Sequence, residues 1–446
     1  MGGGGGGGGG NPESGGVAHA RAGVLDLLRL GAKLGAGAAG GKRDTGAAVT
    51  HWARGLIQRD GDGDLDVSVP GRTIELVGNR AESDRVLSGR PGLDGFAAGE
   101  LKTSAMRFLA PGALTIANGD AWLRLRSFNE QVLGAGRLHP FAQTFLGHVR
   151  EAFARPVSGI DDVRAAMGRA MVKIVVGDLP SGQPDPAADI IALFDAVQSP
   201  VRRKLFGLLY RERRERLYAL LARKWSQDAT ATEHTLLSLA RQSAPNIDRD
   251  TLLQQIPHWM FTFTGSGTDL LTRTLTLVTS RADAHAKMLE EIRTAGPADR
   301  AESVDGLAYV EACVLETGRL FPPVTRTFHK MSPPSGTKPR EIVHYFPLLQ
   351  RDDRLGPTVH TFLPERWLAS TLDAPAAASN VFLRGPRACP GMELILFVCK
   401  AAAARQLGEL ELSARQDSLM HDPLPISFPK LNARFTVNRQ AGGGTR

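Results

Sequence analysis

The chain is predicted to fold as a mainly α protein with small β-sheets, in a single large domain. Three observations predict this. Long stretches carry apolar residues at three- and four-residue spacing, the mark of helices that bury one face. Alternating apolar and polar residues occur only in short pieces. Strands and helices do not alternate regularly along the chain, which argues against a doubly wound parallel sheet.

Of the 446 residues, the first 45 form a glycine-rich tail with nine consecutive glycines, Gly2–Gly10. Such a segment lacks the apolar surface needed to offset the entropy of ordering, so residues 1–45 are expected to be disordered. The folded domain is expected over residues 46–440. Ala47–Arg90 reads as short β-type segments, with Arg72-Thr-Ile-Glu-Leu-Val77 alternating as a half-buried strand does. Gly92–Ala117 reads as a variable loop, and a helix starts near Asp120. Helical spacing then covers Ile160–Val176, Ala187–Gln198, Val201–Trp225 and Glu233–Gln242. Asp248–Arg281 reads as one unusually long helix, followed by helices over Asp305–Leu320 and Met392–Leu410. Thr325–Val343 and the last stretch of the chain supply short strands and turns.

Composition narrows the function. The chain is 42% hydrophobic and 22% charged, enough for a core that shields a cofactor. Its net charge of +8 fits an acidic partner. No basic low-complexity tail, zinc-finger spacing or RNA-binding signature accompanies that charge, so no nucleic-acid partner is expected. No run approaches the ~18 apolar residues of a membrane-spanning helix, so no integral membrane anchor is expected. Val24–Gly41 is too charged and glycine-rich for a good signal peptide, with an Arg-rich transit peptide as the alternative. Cys313, Cys389 and Cys399 are too few and scattered for a disulfide framework, which suits a reducing, cytoplasmic setting. Cys399 is expected in the core.

The most informative segment is Phe382-Leu-Arg-Gly385-Pro-Arg387-Ala-Cys389-Pro-Gly391. Glycines let a backbone pass close to a flat ligand. A cysteine at a helix N-terminus beside Arg387 has surroundings that favour thiolate, and a thiolate is a good axial ligand for haem iron. The alternative is a structural cysteine in a turn. The complete pattern Phe-x-x-Gly-x-Arg-x-Cys-x-Gly, at Phe382, Gly385, Arg387, Cys389 and Gly391, resembles the haem-binding loop of cytochromes P450. The resemblance extends to Glu316-Thr-Gly-Arg319 and to Arg366 in Phe362-Leu-Pro-Glu-Arg-Trp367, which match the family's buried ion network. It also extends to Trp122-Leu-Arg-Leu-Arg126, which puts an indole N–H and a guanidinium on one helix face. By resemblance Trp122, Arg126, Arg326 and Arg387 serve the haem propionates, and Cys389 is the iron ligand.

In the long helix, Phe261-Thr-Phe-Thr-Gly265-Ser-Gly267-Thr268-Asp269 corresponds to the family's oxygen-activating stretch. Gly265 and Thr268 match it. Gly267 stands where the family carries an acid, and Asp269 follows Thr268. Successive helical residues point about 100° apart, so Asp269 is not expected to replace that acid. Glycines in mid-helix cost about 1 kcal/mol each relative to alanine, so Gly265 and Gly267 indicate either a local opening at a ligand or close helix packing.

The resemblance, with its variant long helix, implies a divergent, soluble, bacterial-type cytochrome P450 with haem b (iron protoporphyrin IX). The implied activity is a monooxygenase inserting one atom of O2 into a small, mostly apolar substrate. Electrons would come from an acidic ferredoxin-type donor and its reductase, since no flavin or ferredoxin module is seen. Thr268 is the expected oxygen-activating residue, with Gly265 and Gly267 beside it. Substrate is expected between Phe261–Ser266 and the Gly92–Ala117 loop, with Phe96, Met106 and Phe108 as pocket candidates. Arg384 and Lys400 are expected on the partner-binding face. The alternatives are a P450-fold peroxygenase, isomerase or dehydratase that needs no electron supply, motivated by Gly267, and a non-catalytic haem-binding relative.

Overall fold

The computed structural model describes residues 20–22, 45–60, 63–69, 72–179, 182, 184–198, 200–226, 234–243, 247–296, 298–331, 340–429 and 434–437. In chain order the elements are β1 (Ala20–Ala22), α1 (Thr45–Asp60), β2 (Leu65–Val69), β3 (Arg72–Leu76), α2 (Arg80–Ser88), β4 (Ala97–Ala98), α3 (Glu100–Leu109), α4 (Gly119–Leu133), α5 (Ala142–Ala152), α6 (Ile160–Val176) and α7 (Pro186–Gln198). There follow α8 (Pro200–Leu205), α9 (Gly207–Ser226), α10 (Leu236–Gln242), α11 (Arg249–Leu253), α12 (Ile256–Thr262), a π-helical turn over Phe263–Gly267, α13 (Thr268–Thr279), α14 (Ala282–Ala295), α15 (Ala301–Asp305) and α16 (Ala308–Leu320). The chain closes with β5 (Arg326–Met331), β6 (Arg340–Tyr345), α17 (Phe346–Gln350), α18 (Ala374–Ala377), α19 (Met392–Ala403), a second π turn at Ala404–Glu409, β7 (Leu412–Ser413) and β8 (Thr436–Val437).

The mainly α expectation holds. One six-stranded sheet has the order β1-β2-β3-β6-β5-β4, and β7 pairs with β8 apart from it. β1–β2 and β3–β6 are parallel, and the remaining pairs are antiparallel. The largest apolar core runs from Met106 to Phe435 and is built mainly by α4–α7, α13, α16 and α19. Smaller clusters lie on the sheet: one with α1, through Ala53, Leu56 and Ile57, and one with α2, through Val86.

Several expectations need correction. The tail 1–45 lies mostly outside the described residues, but Ala20–Ala22 is a strand, with Ala20 and Ala22 buried against β2. Ala47–Arg90 is not wholly β-type. Ala53, Leu56 and Ile57 recur at helical spacing and turn α1 onto the sheet. Asn79 caps α2, its side chain accepting from the Glu82 N–H at 2.9 Å. The Gly92–Ala117 segment contains α3. Val201–Trp225 divides at Phe206, and the Asp305–Leu320 helix starts only at Ala308. The long helix is interrupted before Ile256, because Pro257 has no N–H to continue the backbone ladder. It then widens into the π turn. There Thr264 and Ser266 hydroxyls donate to carbonyls one turn back, competing with the backbone N–H groups.

Candidate functional site

The cysteine loop is closed by its own backbone. The Cys389 N–H donates to the Phe382 carbonyl at 2.7 Å, and the Ala388 N–H to Gly385 at 3.1 Å. Gly385 has φ +56, and a Cβ there would lie 3.3 Å from the Leu87 carbonyl oxygen of α2, so both conformation and space favour glycine. Gly391 caps α19, which starts at Met392. Phe382 packs against the main core.

The electrostatics of Cys389 differ from expectation. Burial pushes the thiol up, and the Gly391 N–H and the Arg126 charge pull it part of the way back, against Glu393. Arg387 does not act on it. Its Nη2 donates to the Phe96 carbonyl, and burial lowers its guanidinium to about 10. Arg126 is the cation at the sulphur. Its Nη1 donates to the Ala388 carbonyl and its Nε to Glu130 Oε1 at 2.6 Å. A thiolate here therefore calls for a bound cation to hold it, as a coordinating metal does. Trp122 lies on the same helix, packed with Leu114 and Leu125.

The supporting ion network is as expected. Glu316, fully buried, meets Arg319 Nη2 and Nε at 2.8 Å each, Arg366 Nε at 3.1 Å and Trp367 Nε1 at 2.9 Å. Burial alone would raise the Glu316 carboxyl, but Arg319, Arg366 and Trp367 outweigh it and hold the carboxyl below its ordinary value. Cys399 is buried in the core.

Across the π turn, Thr268 is fully buried and its Oγ1 has no hydrogen-bond partner among the described residues. Every other Ser and Thr between Thr262 and Ser280 donates its hydroxyl to a carbonyl one turn back. Gly267 stands against α19 and α6: a Cβ there would lie 2.8 Å from Ile395 Cδ1 and 3.3 Å from Met167 Cε. A side chain at Gly267 would have to push these two side-chain tips aside. At Gly265 a Cβ would overlap the Phe194 ring of α7, whose centroid lies 4.8 Å from that of Phe261 with the rings tilted by 43°. Asp269 pairs with Arg273 at 3.0 Å, turned to its own helix face as its position implies.

Other expected positions move. Arg326 is exposed, 6.0 Å above the Phe328 ring, because alternation along β5 turns it away from the face that carries His329. Lys400 is 2% exposed and donates to Glu311 Oε2 at 2.7 Å, so it is not a docking cation. Arg384 pairs with Asp84 at 3.0 Å. Met106 and Phe108 belong to the main core, and Phe96 packs beside Val77, Val86 and Ile342. Sequence reasoning missed Phe194, Lys102 and the buried pair His329 and His344. The strand alternation at Arg326–Met331 was the one available signal for His329.

These residues fit a haem-thiolate group. Cys389 receives an N–H at its sulphur, and a buried hydroxyl and buried ring nitrogens elsewhere in the fold lack hydrogen-bond partners among the described residues.

Residues 223–437 match the family model described as Cytochrome P450. The chain is similar to Cytochrome P450 monooxygenase sthF of Phaeosphaeria nodorum, 29% identical over 177 residues, covering 35% of this chain and 34% of that protein. It is 25% identical over 231 residues to Probable cytochrome P450 6d5 of Drosophila melanogaster, covering 49% of this chain and 43% of that protein. It is 32% identical over 160 residues to Cytochrome P450 monooxygenase cpaH of Aspergillus oryzae, covering 32% of this chain and 30% of that protein. The match thus spans less than half the length of each of these relatives. None of the three comes from a bacterium, so they lend no support to a bacterial-type placement.

Proposed function

The chain belongs to the cytochrome P450 superfamily, and from that premise we propose that it is a haem-thiolate monooxygenase. It inserts one oxygen atom from O2 into a mostly apolar small molecule, with electrons from separate redox partners. The observation that carries this reading is the buried Thr268 hydroxyl directly after the π turn, which has no hydrogen-bond partner among the described residues.

Bound haem supplies the activation of dioxygen, which with two electrons and two protons gives oxygenated product and water. The chain's residues do the rest. Cys389 provides the thiolate, with the Gly391 N–H and Arg126 favouring its charged form. The Glu316–Arg319–Arg366 network fixes the segments that lead to the cysteine loop. Thr268 Oγ1 makes no bond to its own helix, so it is free to accept and pass on a proton. Phe194 and Phe261 cover the π turn and limit water there.

Haem b is the proposed form, because the cysteines include no Cys-x-x-Cys pair for covalent attachment. An acidic ferredoxin-type donor is proposed from the net charge of +8. The cytoplasm is the proposed setting, supported by three free cysteines, Cys313, Cys389 and Cys399. Among the described residues no helix is long and apolar enough to cross a membrane.

One observation favours a second reading, a peroxygenase, isomerase or dehydratase that needs no electron supply: Gly267 offers no acid, and Asp269 is engaged by Arg273. Two measurements decide. The spectrum of the reduced, CO-bound protein reports thiolate ligation and should be lost in Cys389→Ser. Product formation with NADH, ferredoxin and reductase supports the monooxygenase, whereas turnover with peroxide alone supports the second reading.

A further inference from the structure

Carboxylates gather on one face of the sheet, beneath α2. Asp66 stands opposite Glu75 in the β2–β3 register, and alternation puts Asp64 on the same face as Asp66. α2 covers this face. Its Val86 packs with Val77 and Ile342, and Glu82, one turn earlier, meets the acids. One carboxylate oxygen from each of Asp64, Glu75 and Glu82 lies within 4.8 Å of the other two. Two oxygens on opposite sides of one Ca2+, each at about 2.4 Å, would be that far apart. Asp64 is 1% exposed and Glu75 3%.

Arginines hold part of this cluster. Arg340 Nη1 donates to Glu75 Oε2, and its Nη2 to Asp66 Oδ2 at 3.1 Å. Arg85 donates to Glu82 Oε1 through both Nη2 and Nε, the latter at 2.7 Å. The Gly78 N–H donates to Asp64 Oδ1 at 2.8 Å. Two acids keep an oxygen that these bonds do not reach. Glu75 Oε1 is buried and has no hydrogen-bond partner among the described residues. Both bonds to Glu82 land on Oε1, so its Oε2 receives none there. Negative charge also remains in excess. Arg21, opposite Asp66 in the β1–β2 register, joins Arg85 and Arg340 as a third cation against the four carboxylates of Asp64, Asp66, Glu75 and Glu82. A buried carboxylate oxygen that meets neither a hydrogen nor a cation is destabilising. A donor set of carboxylate oxygens, with no nitrogen or sulphur, suits a hard cation.

We propose that Asp64, Glu75 and Glu82 bind a divalent cation of the size of Ca2+, with water completing its oxygen shell, and that the ion pins α2 to β2 and β3. Ca2+ fits this cluster better than Mg2+, which keeps most of its water and takes only one or two carboxylates. The pinned helix is the one that supports the cysteine loop. Its Asp84 pairs with Arg384 at 3.0 Å, and its Leu87 carbonyl oxygen lies 3.3 Å from where a Cβ at Gly385 would stand. An ion at Glu82 therefore steadies the helix that carries both contacts. The cation site does not depend on the haem-thiolate reading; only its effect on haem retention does.

The test uses the full, haem-loaded chain, stripped of divalent ions with EDTA and titrated with CaCl2 by calorimetry and by thermal unfolding. One equivalent should bind, and the unfolding temperature should rise with Ca2+, because an ion held only by the folded chain stabilises it. Glu75→Gln and the partly exposed Glu82→Gln should each weaken binding about ten-fold or more, since ligand charge sets Ca2+ affinity. An unchanged CO spectrum shows that a variant has kept its fold. No saturable binding at about 1 mM Ca2+ overturns the proposal, as does binding that both variants retain in full. A tighter response to MgCl2 than to CaCl2 overturns the choice of ion. Haem release to an excess of apomyoglobin should slow when Ca2+ is added. Asp84→Asn, which weakens the tie to Arg384, should abolish that response and leave Ca2+ affinity intact. Ca2+ binding with unchanged haem release overturns the link to the cysteine loop. The CO spectrum of the EDTA-treated chain reports Cys389 ligation by itself, so the cation site and the haem-thiolate reading fail separately.

Discussion

The Gly267 backbone packs against Ile395: a Cβ would stand 2.8 Å from Ile395 Cδ1 and 3.3 Å from Met167 Cε, so a longer side chain must push both side-chain tips aside. Gly267→Asp should therefore not install a working proton relay. Overpacking of this kind costs about 1–3 kcal/mol, and a carboxylate set against Ile395 and Met167 adds a desolvation cost. A lower denaturant midpoint with no gain in product per NADH is expected; a gain in product at unchanged stability would contradict it.

Thr268→Val exchanges an unpartnered hydroxyl for a methyl of similar shape. Stability should hold or rise slightly, since no hydrogen bond is lost. Product per NADH should fall, with reducing equivalents lost to peroxide or water. Thr272→Val is the control. Its hydroxyl donates to the Thr268 carbonyl at 2.8 Å, so it should cost about 1 kcal/mol without altering that ratio.

Glu316 makes stability depend on pH with a definite sign. Its folded carboxyl lies below its ordinary 4.5, so the contribution is complete above that value and is lost as pH falls through the folded one. Arg366→Leu removes one of the two cations holding it down. The variant should lose about 3–5 kcal/mol and begin acid unfolding at a higher pH than the unmodified chain. Denaturant midpoints measured between neutral pH and pH 3 would check both.

Lys400 anchors α19 to α15 and α16, donating to the Asp305 carbonyl at 2.6 Å and to Glu311. Lys400→Met should lower stability by about 1–3 kcal/mol by leaving acceptors unmet, with no change in the affinity for a ferredoxin. A weakened ferredoxin complex at unchanged stability would restore the docking role.

Gly265→Ala must displace the Phe194 ring. We expect changed spin-state responses across a ligand panel, larger for bulky ligands, with retained thiolate ligation. An unchanged panel would show that Phe194 does not bound the substrate space.

Local patterns were legible where one short segment carries the whole constraint. The cysteine loop and the Glu316–Arg319 pair, one helical turn apart, could be read directly. Arg366 joined that pair by order along the chain alone. The strand face of Arg326 was not legible, because spacing from Pro322 says nothing about which face a residue takes. Lys400 was misjudged because a lysine in an apolar helix gives no sign of acids on other helices.

The sequence by itself determined a mainly helical chain with one thiolate-capable cysteine ahead of a helix. Helical period, strand alternation and loop glycines are encoded locally. Only the tertiary structure decided which cation faces the sulphur, what a side chain at Gly267 would displace, and that His329 meets His344. Those facts depend on contacts between segments distant in sequence: Arg126 with Ala388, Gly267 with Ile395, and β5 with β6. A charge, a cavity or an unmet donor exists only once such segments pack and exclude water.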